Sequence, residues 1–331
     1  MELTERQKNI LYLMVKAHIL SGEPIGSKRI SEVLENKVSS ATIRNEMSFL
    51  SEQGFLEQPH TSAGRIPTSK AYRMYVNGLL LSEVDESIKR EIDNRLLKLD
   101  GDFENINETA TKALSEITGL VGVSLISHED NTYVKRLEVL PMGKRTVLIV
   151  LVTSDTLAKS RMCKSGFDIT ADVLSRFDRI ATKEIIGTEL SKFSAGFMQS
   201  IAAASGDITL IPFFNTVFEM INDLKSMKLS LKGEDTLFTS DNADSLKLME
   251  FIARRDAIIS VLADAEDPIS IVFGENKEQE SNASLIIAKH SGGKIGVIGP
   301  KRMSYENIIP SISYFAQKLG DIINKAINDM E

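Results

Sequence analysis

The chain has 331 residues, 42% apolar and 26% charged, with 39 Lys and Arg against 46 Asp and Glu for a net charge of −7. This is the composition of a globular chain of two or three domains with enough aliphatic residues to build cores, not of a disordered one. The longest aliphatic run, Val147 to Val152, is far short of the ~18–20 residues of a spanning helix, and the single cysteine, Cys163, excludes an internal disulfide and a multi-cysteine zinc site.

Thr4 and Gln7 have the spacing of a capping box ahead of a helix whose apolar positions are Ile10, Leu11, Met14, Val15 and Ile19. A turn at Glu23–Gly26 leads to a second, short helix capped by Ser27, with Ile30, Val33 and Leu34 inward. Ser39 or Ser40 caps a third helix, with Ile43, Met47 and Leu50 inward and Gly54 at its end. Residues 55–58 read as a short strand, 59–65 as a loop, and Ile66 as the start of a return strand that Pro67 cuts short. A helix from Ser69 carries Tyr72, Tyr75, Val76, Leu79 and Leu80 as its stripe. A charged connecting helix follows to about Leu99, with Ile88, Ile92, Leu96 and Leu97 on one side. Beyond it, a helix to Thr118 precedes strands at 121–126, 134–140 and 146–153. Helices are expected near 170–186, 212–227 and 242–255, then strands at 269–273, 283–289 and 294–298, and a closing amphipathic helix over 308–327. Strands, a helical block and strands again predict an α+β chain in which one sheet domain is interrupted by an insertion.

Three short helices and a two-stranded hairpin form the winged helix-turn-helix pattern. The third helix fits the major groove, where its first turns meet base edges. Ser39, Ser40, Thr42, Arg44 and Asn45 lie on those turns; Arg suits guanine and Asn suits adenine. Net charge argues against a nucleic-acid partner until it is divided by region. Residues 1–78 hold ten basic and eight acidic side chains, and the 25 residues from Gln58 to Ser82 hold no acid at all. That stretch is the wing and the helix after it, where phosphates would repel carboxylates. His60, Thr61, Ser62, Arg65, Lys70 and Arg73 lie in it and complete the candidate DNA-binding set, with Arg65 expected at the hairpin tip.

Residues 22–27 (Gly-Glu-Pro-Ile-Gly-Ser), 38–47 (Val-Ser-Ser-Ala-Thr-Ile-Arg-Asn-Glu-Met) and 58–68 (Gln-Pro-His-Thr-Ser-Ala-Gly-Arg-Ile-Pro-Thr) closely resemble the HrcA family of heat-inducible repressors of bacterial chaperone operons. Ala71 stands where that family usually has Gly, and Ser51 where it often has Glu; neither lies on the expected DNA face. The resemblance implies a winged-helix domain over 1–80, a linker helix over 81–106, a GAF-like α/β domain over 107–190 and 267–331, and a mostly helical dimerising domain inserted at 191–266. It also implies a homodimer on an inverted-repeat operator of double-stranded DNA ahead of the groE and dnaK operons, released on heat stress. The chaperonin GroEL is implied as a partner, with no cofactor, no metal, no membrane, a cytoplasmic location and no enzymatic activity.

The remaining candidates are weaker. Cys163 has basic neighbours in Arg161 and Lys164, which would lower its pKa, but no histidine signature accompanies it. Gly292–Gly299 is glycine-rich without the order of a phosphate loop. Phe213, Phe214, Val217, Phe218 and Ile221 form a stripe that is either core or dimer interface, and the interface is the reading taken forward. A ligand-sensing role for the GAF-like part is the alternative to a purely structural one.

Overall fold

The computed structural model describes all residues except 1–2, 36, 61–62, 80–82, 100–102, 127–131, 155–156, 236–242, 277–278 and 329–331. Its N-terminal unit, the reader, holds α1 (Glu5–Ser21), α2 (Ser27–Val33), α3 (Ser40–Glu52), β1 (Leu56–Glu57), β2 (Ile66–Pro67) and α4 (Ser69–Asn77). The Thr4–Gln7 capping box starts α1, and Gly22, at φ 73°, ends it in the left-handed conformation that glycine adopts without steric cost. Ile10, Leu11, Met14, Ile30, Ile43, Met47, Leu50 and Tyr72 close the core. Val33, expected inward, is 53% exposed, because α2 stops at that residue and its chain turns out through Leu34.

The wing is antiparallel, with Leu56 opposite Pro67 and Glu57 opposite Ile66. A further bridge ties it to the α1–α2 turn, where Ile25 and Arg65 exchange both backbone hydrogen bonds at 2.9 Å. Gly64 permits that approach: a Cβ there would lie 2.5 Å from the Ile25 carbonyl.

The body begins with α5 (Glu86–Leu96) and α6 (Phe103–Thr118). The expected linker helix is thus packed structure. Ile92 and Leu96 are buried, α5 lies against α6 and the closing helix α12 (Tyr305–Asn328), and the Tyr314 hydroxyl donates to Asp93 at 3.0 Å. Leu97, just past the end of α5, is exposed. The body's sheet has five antiparallel strands: β3 (Val121–Ile126), β7 (Lys228–Lys232), β8 (Ile269–Asn276), β9 (Gln279–His290) and β10 (Gly293–Pro300), in the order β7-β3-β10-β9-β8. Alternation divides its side chains. Ile286, Ala288, Ile295 and Val297 face α12, while Val121, Val123, Leu285 and Ile287 face α10 (Ala243–Ala253) and α11 (Arg255–Ala263).

A third unit, the insert, leaves after β3 and returns at β7. These strands pair with Ile126 opposite Lys228, so the whole excursion closes like the loop of a hairpin. It holds β4 (Val134–Gly143), β5 (Thr146–Thr153) and β6 (Ala158–Lys164) in one sheet, with α7 (Ala171–Glu184), α8 (Ala195–Ser205) and α9 (Ile211–Lys225). One apolar core joins Val134, Ile149 and Leu151 to Phe177, Phe213 and Leu224. The strands at 134–140 and 146–153, assigned from sequence to the larger sheet, therefore belong to the insert. Residues 243–263, assigned to the insertion, instead form α10 and α11 of the body. Hydrophobic pattern identified β4, β5 and α10 but not α11, and it carries no information on which strands pair.

Candidate nucleic-acid interface

The exposed end of α3 is built in two layers. Ser39 is its N-cap: the hydroxyl oxygen accepts from Thr42 N–H at 3.1 Å and bonds Thr42 Oγ1 at 2.9 Å. These two residues thus hold the helix terminus together, as capping chemistry requires. Ser40, Arg44 and Asn45 are exposed beside them. The Arg44 guanidinium and the Asn45 amide make no side-chain hydrogen bond or ion pair with another described residue. A guanidinium fork and an amide without protein partners are the groups that read base edges.

Glu46 is the missed residue. It follows Arg44 and Asn45 in sequence, and an outward carboxylate there would repel phosphate. Instead it is 9% exposed, ion-paired with Arg6 of α1 and accepting from Gln7 Nε2 at 3.1 Å. The sequence signal was the helical period, which puts 43, 46, 47 and 50 on one face. The same period exposes Lys28 and Arg29 on the first turn of α2, the helix that crosses the backbone in such motifs.

The wing and α4 separate the remaining candidates. His60 is exposed in the hairpin loop, where its carbonyl accepts from Ala63 N–H at 2.9 Å. Thr61 and Ser62 lie outside the described residues. Arg65 is not at the tip: its bridge to Ile25 sets it in the return arm, half-buried, with Nε enclosed and unpartnered. Lys70 donates from Nζ to the Gln53 carbonyl at 2.8 Å and stands 4.3 Å from the centre of the Phe55 ring. Gln53 is the C-cap of α3, so Lys70 closes the far end of that helix. Arg73 is exposed on α4.

The opposite side of the reader is docked on the body. Tyr72 is 1% exposed, stacks near Phe273 and Tyr305, and shares a 2.8 Å hydrogen bond with His18 Nδ1; burial pushes its hydroxyl pKa up. Lys16 Nζ lies 3.1 Å from Glu306, and the Tyr75 hydroxyl donates to the same carboxylate at 3.0 Å. The Lys16 pairing holds the Glu306 carboxyl below its ordinary range.

Two sequence candidates change role. Phe213, Phe214, Val217 and Ile221 are each at most 1% exposed within one protomer, and Phe218 packs against the same cluster. Phe213, Phe214, Val217 and Ile221 form the insert's core and have no surface to give a partner, while Phe218 is half-buried at its edge; an apolar stripe has the same pattern in either setting. Cys163 is 1% exposed, and burial pushes its thiol pKa up, opposite to the shift a nucleophile needs.

Residues 2–78 match the family described as winged helix-turn-helix transcription repressor, HrcA DNA-binding, and residues 104–309 match the HrcA protein C-terminal domain. The heat-inducible transcription repressor HrcA of Acetivibrio thermocellus is 30% identical, over 99% of this chain and 98% of that one. Proteins of the same description from Alkaliphilus metalliredigens and Lactobacillus gasseri are each 29% identical, over 100% and 96% of this chain and 98% and 96% of theirs. A crystal structure of a hypothetical protein, solved at 2.2 Å, superposes with a TM-score of 0.59 at 20% identity, covering 98% of this chain and 99% of that one, and shares the fold.

Proposed function

The chain belongs to the HrcA family, and from that premise we propose that it is a DNA-binding repressor of heat-shock genes, not an enzyme, that reads an inverted-repeat operator ahead of the groE and dnaK operons. The observation that carries the reading is the exposed turn of α3: Ser40, Arg44 and Asn45 face outward while the neighbouring acid, Glu46, is turned in and paired. Arg44 and Asn45 are the proposed base readers. Ser39 and Thr42 set the helix terminus, and Ser40, His60, Arg73, Lys28 and Arg29 are placed to meet the backbone. Arg65 holds the wing against the α1–α2 turn, and Lys70 supports α3. Thr61 and Ser62 remain wing candidates from sequence. A gel shift with the inverted repeat and a scrambled duplex tests this: the repeat should be bound in preference, and equal affinity for both would sink the proposal.

An inverted repeat calls for a two-fold dimer, with half-sites a whole number of helical turns apart. We assign that dimer to the insert, but to its sheet in place of α9. α7 and α9 pack on the inner face of β4-β5-β6. The outer face carries Leu140 opposite Leu148 and Leu148 opposite Met162, then Val150 and Val152. Leu140 is 45% and Met162 48% exposed. The apolar side chains span three strands and are bordered on β4 by the Arg136–Glu138 ion pair; exposed apolar surface of this kind marks an interface, and a second copy offers the self-complementary partner. Heat release follows if the dimer or the reader loosens at heat-shock temperature; unchanged operator affinity and an intact dimer across that range would refute it. Chaperonin dependence, a cytoplasmic setting and a GAF-like role for the body stay with the family reading. Among the described residues no helix is long and apolar enough to cross a membrane.

A further inference from the structure

The carboxylate of Glu46 is held on both sides by consecutive residues of α1. Its Oε1 pairs with the Arg6 guanidinium, and its Oε2 accepts from Gln7 Nε2 at 3.1 Å. Gln7 cannot turn its amide over to suit another partner. Its Oε1 accepts from Thr4 N–H at 2.9 Å in the capping box, so Nε2 is left facing Glu46. The first turn of α1 thus grips the middle of α3 through one side chain, one residue past Asn45 and two past Arg44.

Stability alone does not account for a carboxylate there. Glu46 lies on the face of α3 that carries Ile43, Met47 and Leu50, and an apolar side chain would fill the place without the cost of desolvating a charge. Apolar contacts, however, are non-directional and let a helix turn about its axis. Hydrogen bonds are directional, and two of them to one carboxylate fix the rotation. Helical side chains reach about 5–6 Å from the axis, so a turn of about 20° would carry the surface of α3 by about 2 Å. That displacement loses a bidentate contact to a base edge, which needs placement within about 0.5 Å.

We infer that Glu46, Arg6 and Gln7 are positioning residues for base reading. They set the rotation of α3, and through it the aim of Arg44 and Asn45, without touching DNA themselves, a role that rests on the reading of α3 as the helix that enters the operator.

The test compares affinity for the inverted repeat with affinity for a scrambled duplex, both measured on the full chain well below its melting temperature. A variant that merely leaves part of the protein unfolded loses the same factor on both duplexes, so their ratio does not move. Glu46→Gln turns an amide N–H toward Gln7 or Arg6, donor against donor, and the ratio should fall about tenfold. Gln7→Glu sets two carboxylates face to face and should lower it by a similar factor. The double variant Glu46→Gln/Gln7→Glu restores the pattern in reverse. The amide at position 46 then accepts from Arg6 and donates to the carboxylate at position 7, which still accepts from Thr4. Its ratio should return to within about threefold of wild type. Arg6→Gln, at an exposed position, should lower the ratio and leave the dependence of affinity on salt unchanged, and it decides the matter if Glu46→Gln does not fold.

A ratio unmoved in Glu46→Gln and Arg6→Gln, or a double variant no better than the single ones, overturns the positioning role and leaves the DNA reading in place. A salt slope lowered by about one in Arg6→Gln, with the ratio kept, makes Arg6 a phosphate contact and overturns it too. Wild type that binds both duplexes alike removes the DNA reading itself, and the positioning role with it.

Discussion

In the reader, α3 keeps Ile43, Met47 and Leu50 inside and shows Ser40, Arg44 and Asn45 to solvent. In the insert, α9 keeps Phe213, Phe214 and Val217 inside, and the neighbouring sheet shows Leu140, Met142 and Met162. Both helices bury an apolar stripe, and neither stripe reports function. What distinguishes the units is the chemistry left outside: hydrogen-bonding groups on one, aliphatic surface on the other. On the function proposed above, the first meets a polar groove and the second a copy of itself. A residue's hydrophobicity thus locates an interface only after the monomer's own core has been subtracted.

The largest effect should come from testing that subtraction. Phe213→Ala removes a ring fully enclosed between Phe177 and the sheet, with ring centres of Phe177 and Phe213 5.1 Å apart. It should cost ~3–5 kcal/mol of folding stability. The loss should be the same at dilute and concentrated protein, because it arises within one chain. Denaturant titration at two concentrations separates the cases; a loss that vanishes as the protein is concentrated would return Phe213 to the interface.

Next is Leu148→Asp, at the centre of the outer sheet face, between Leu140 and Met162. The side chain points away from the insert's core, so circular dichroism should be unchanged. Sedimentation should show monomers, and operator affinity should fall ~10²–10⁴-fold as the two half-sites lose their linkage. A dimer that survives the charge would place the two-fold axis elsewhere. Arg44→Ala makes the complementary case: dimerisation intact, ~1–3 kcal/mol lost on the operator and little on random DNA. Equal losses on both duplexes would remove Arg44 from the base readers.

The reader was legible from sequence element by element, and the other two units were not. In the reader, consecutive elements touch: Thr4 caps with Gln7, Ser39 with Thr42, and β1 pairs with β2 across a short loop. Local signals therefore determine it. The body's sheet joins Ile126 to Lys228 and Val121 to Ile298, across about a hundred residues or more. β3 and β10 of the body and β5 of the insert are all Val- and Ile-rich, so composition does not say which sheet each one joins. The site was legible to the same depth. Exposure of Arg44 and Asn45 follows from the helical period, whereas the inward pairing of Glu46 with Arg6 and the bridge from Arg65 to Ile25 depend on where α1 and its turn lie.

Lys70 offers the smallest effect and the finest division within the reader. Composition groups it with Arg65 and Arg73 as a cation in an acid-free stretch, and a phosphate contact would be the natural inference. Its ammonium is instead engaged by the Gln53 carbonyl at the end of α3 and by the face of Phe55. Lys70→Ala should then cost ~1 kcal/mol of stability, the scale of one hydrogen bond and one exposed cation–π contact. The slope of DNA affinity against salt should be unchanged, because no counterion is released at that position. Arg73→Ala, exposed on the same helix, should reduce that slope by about one while leaving stability within ~0.5 kcal/mol. If the two outcomes are exchanged, the lysine touches the phosphate and α3 is held at its far end by something else. If both slopes fall, the acid-free stretch acts as one electrostatic surface, and the hydrogen bond to Gln53 yields to DNA when it arrives.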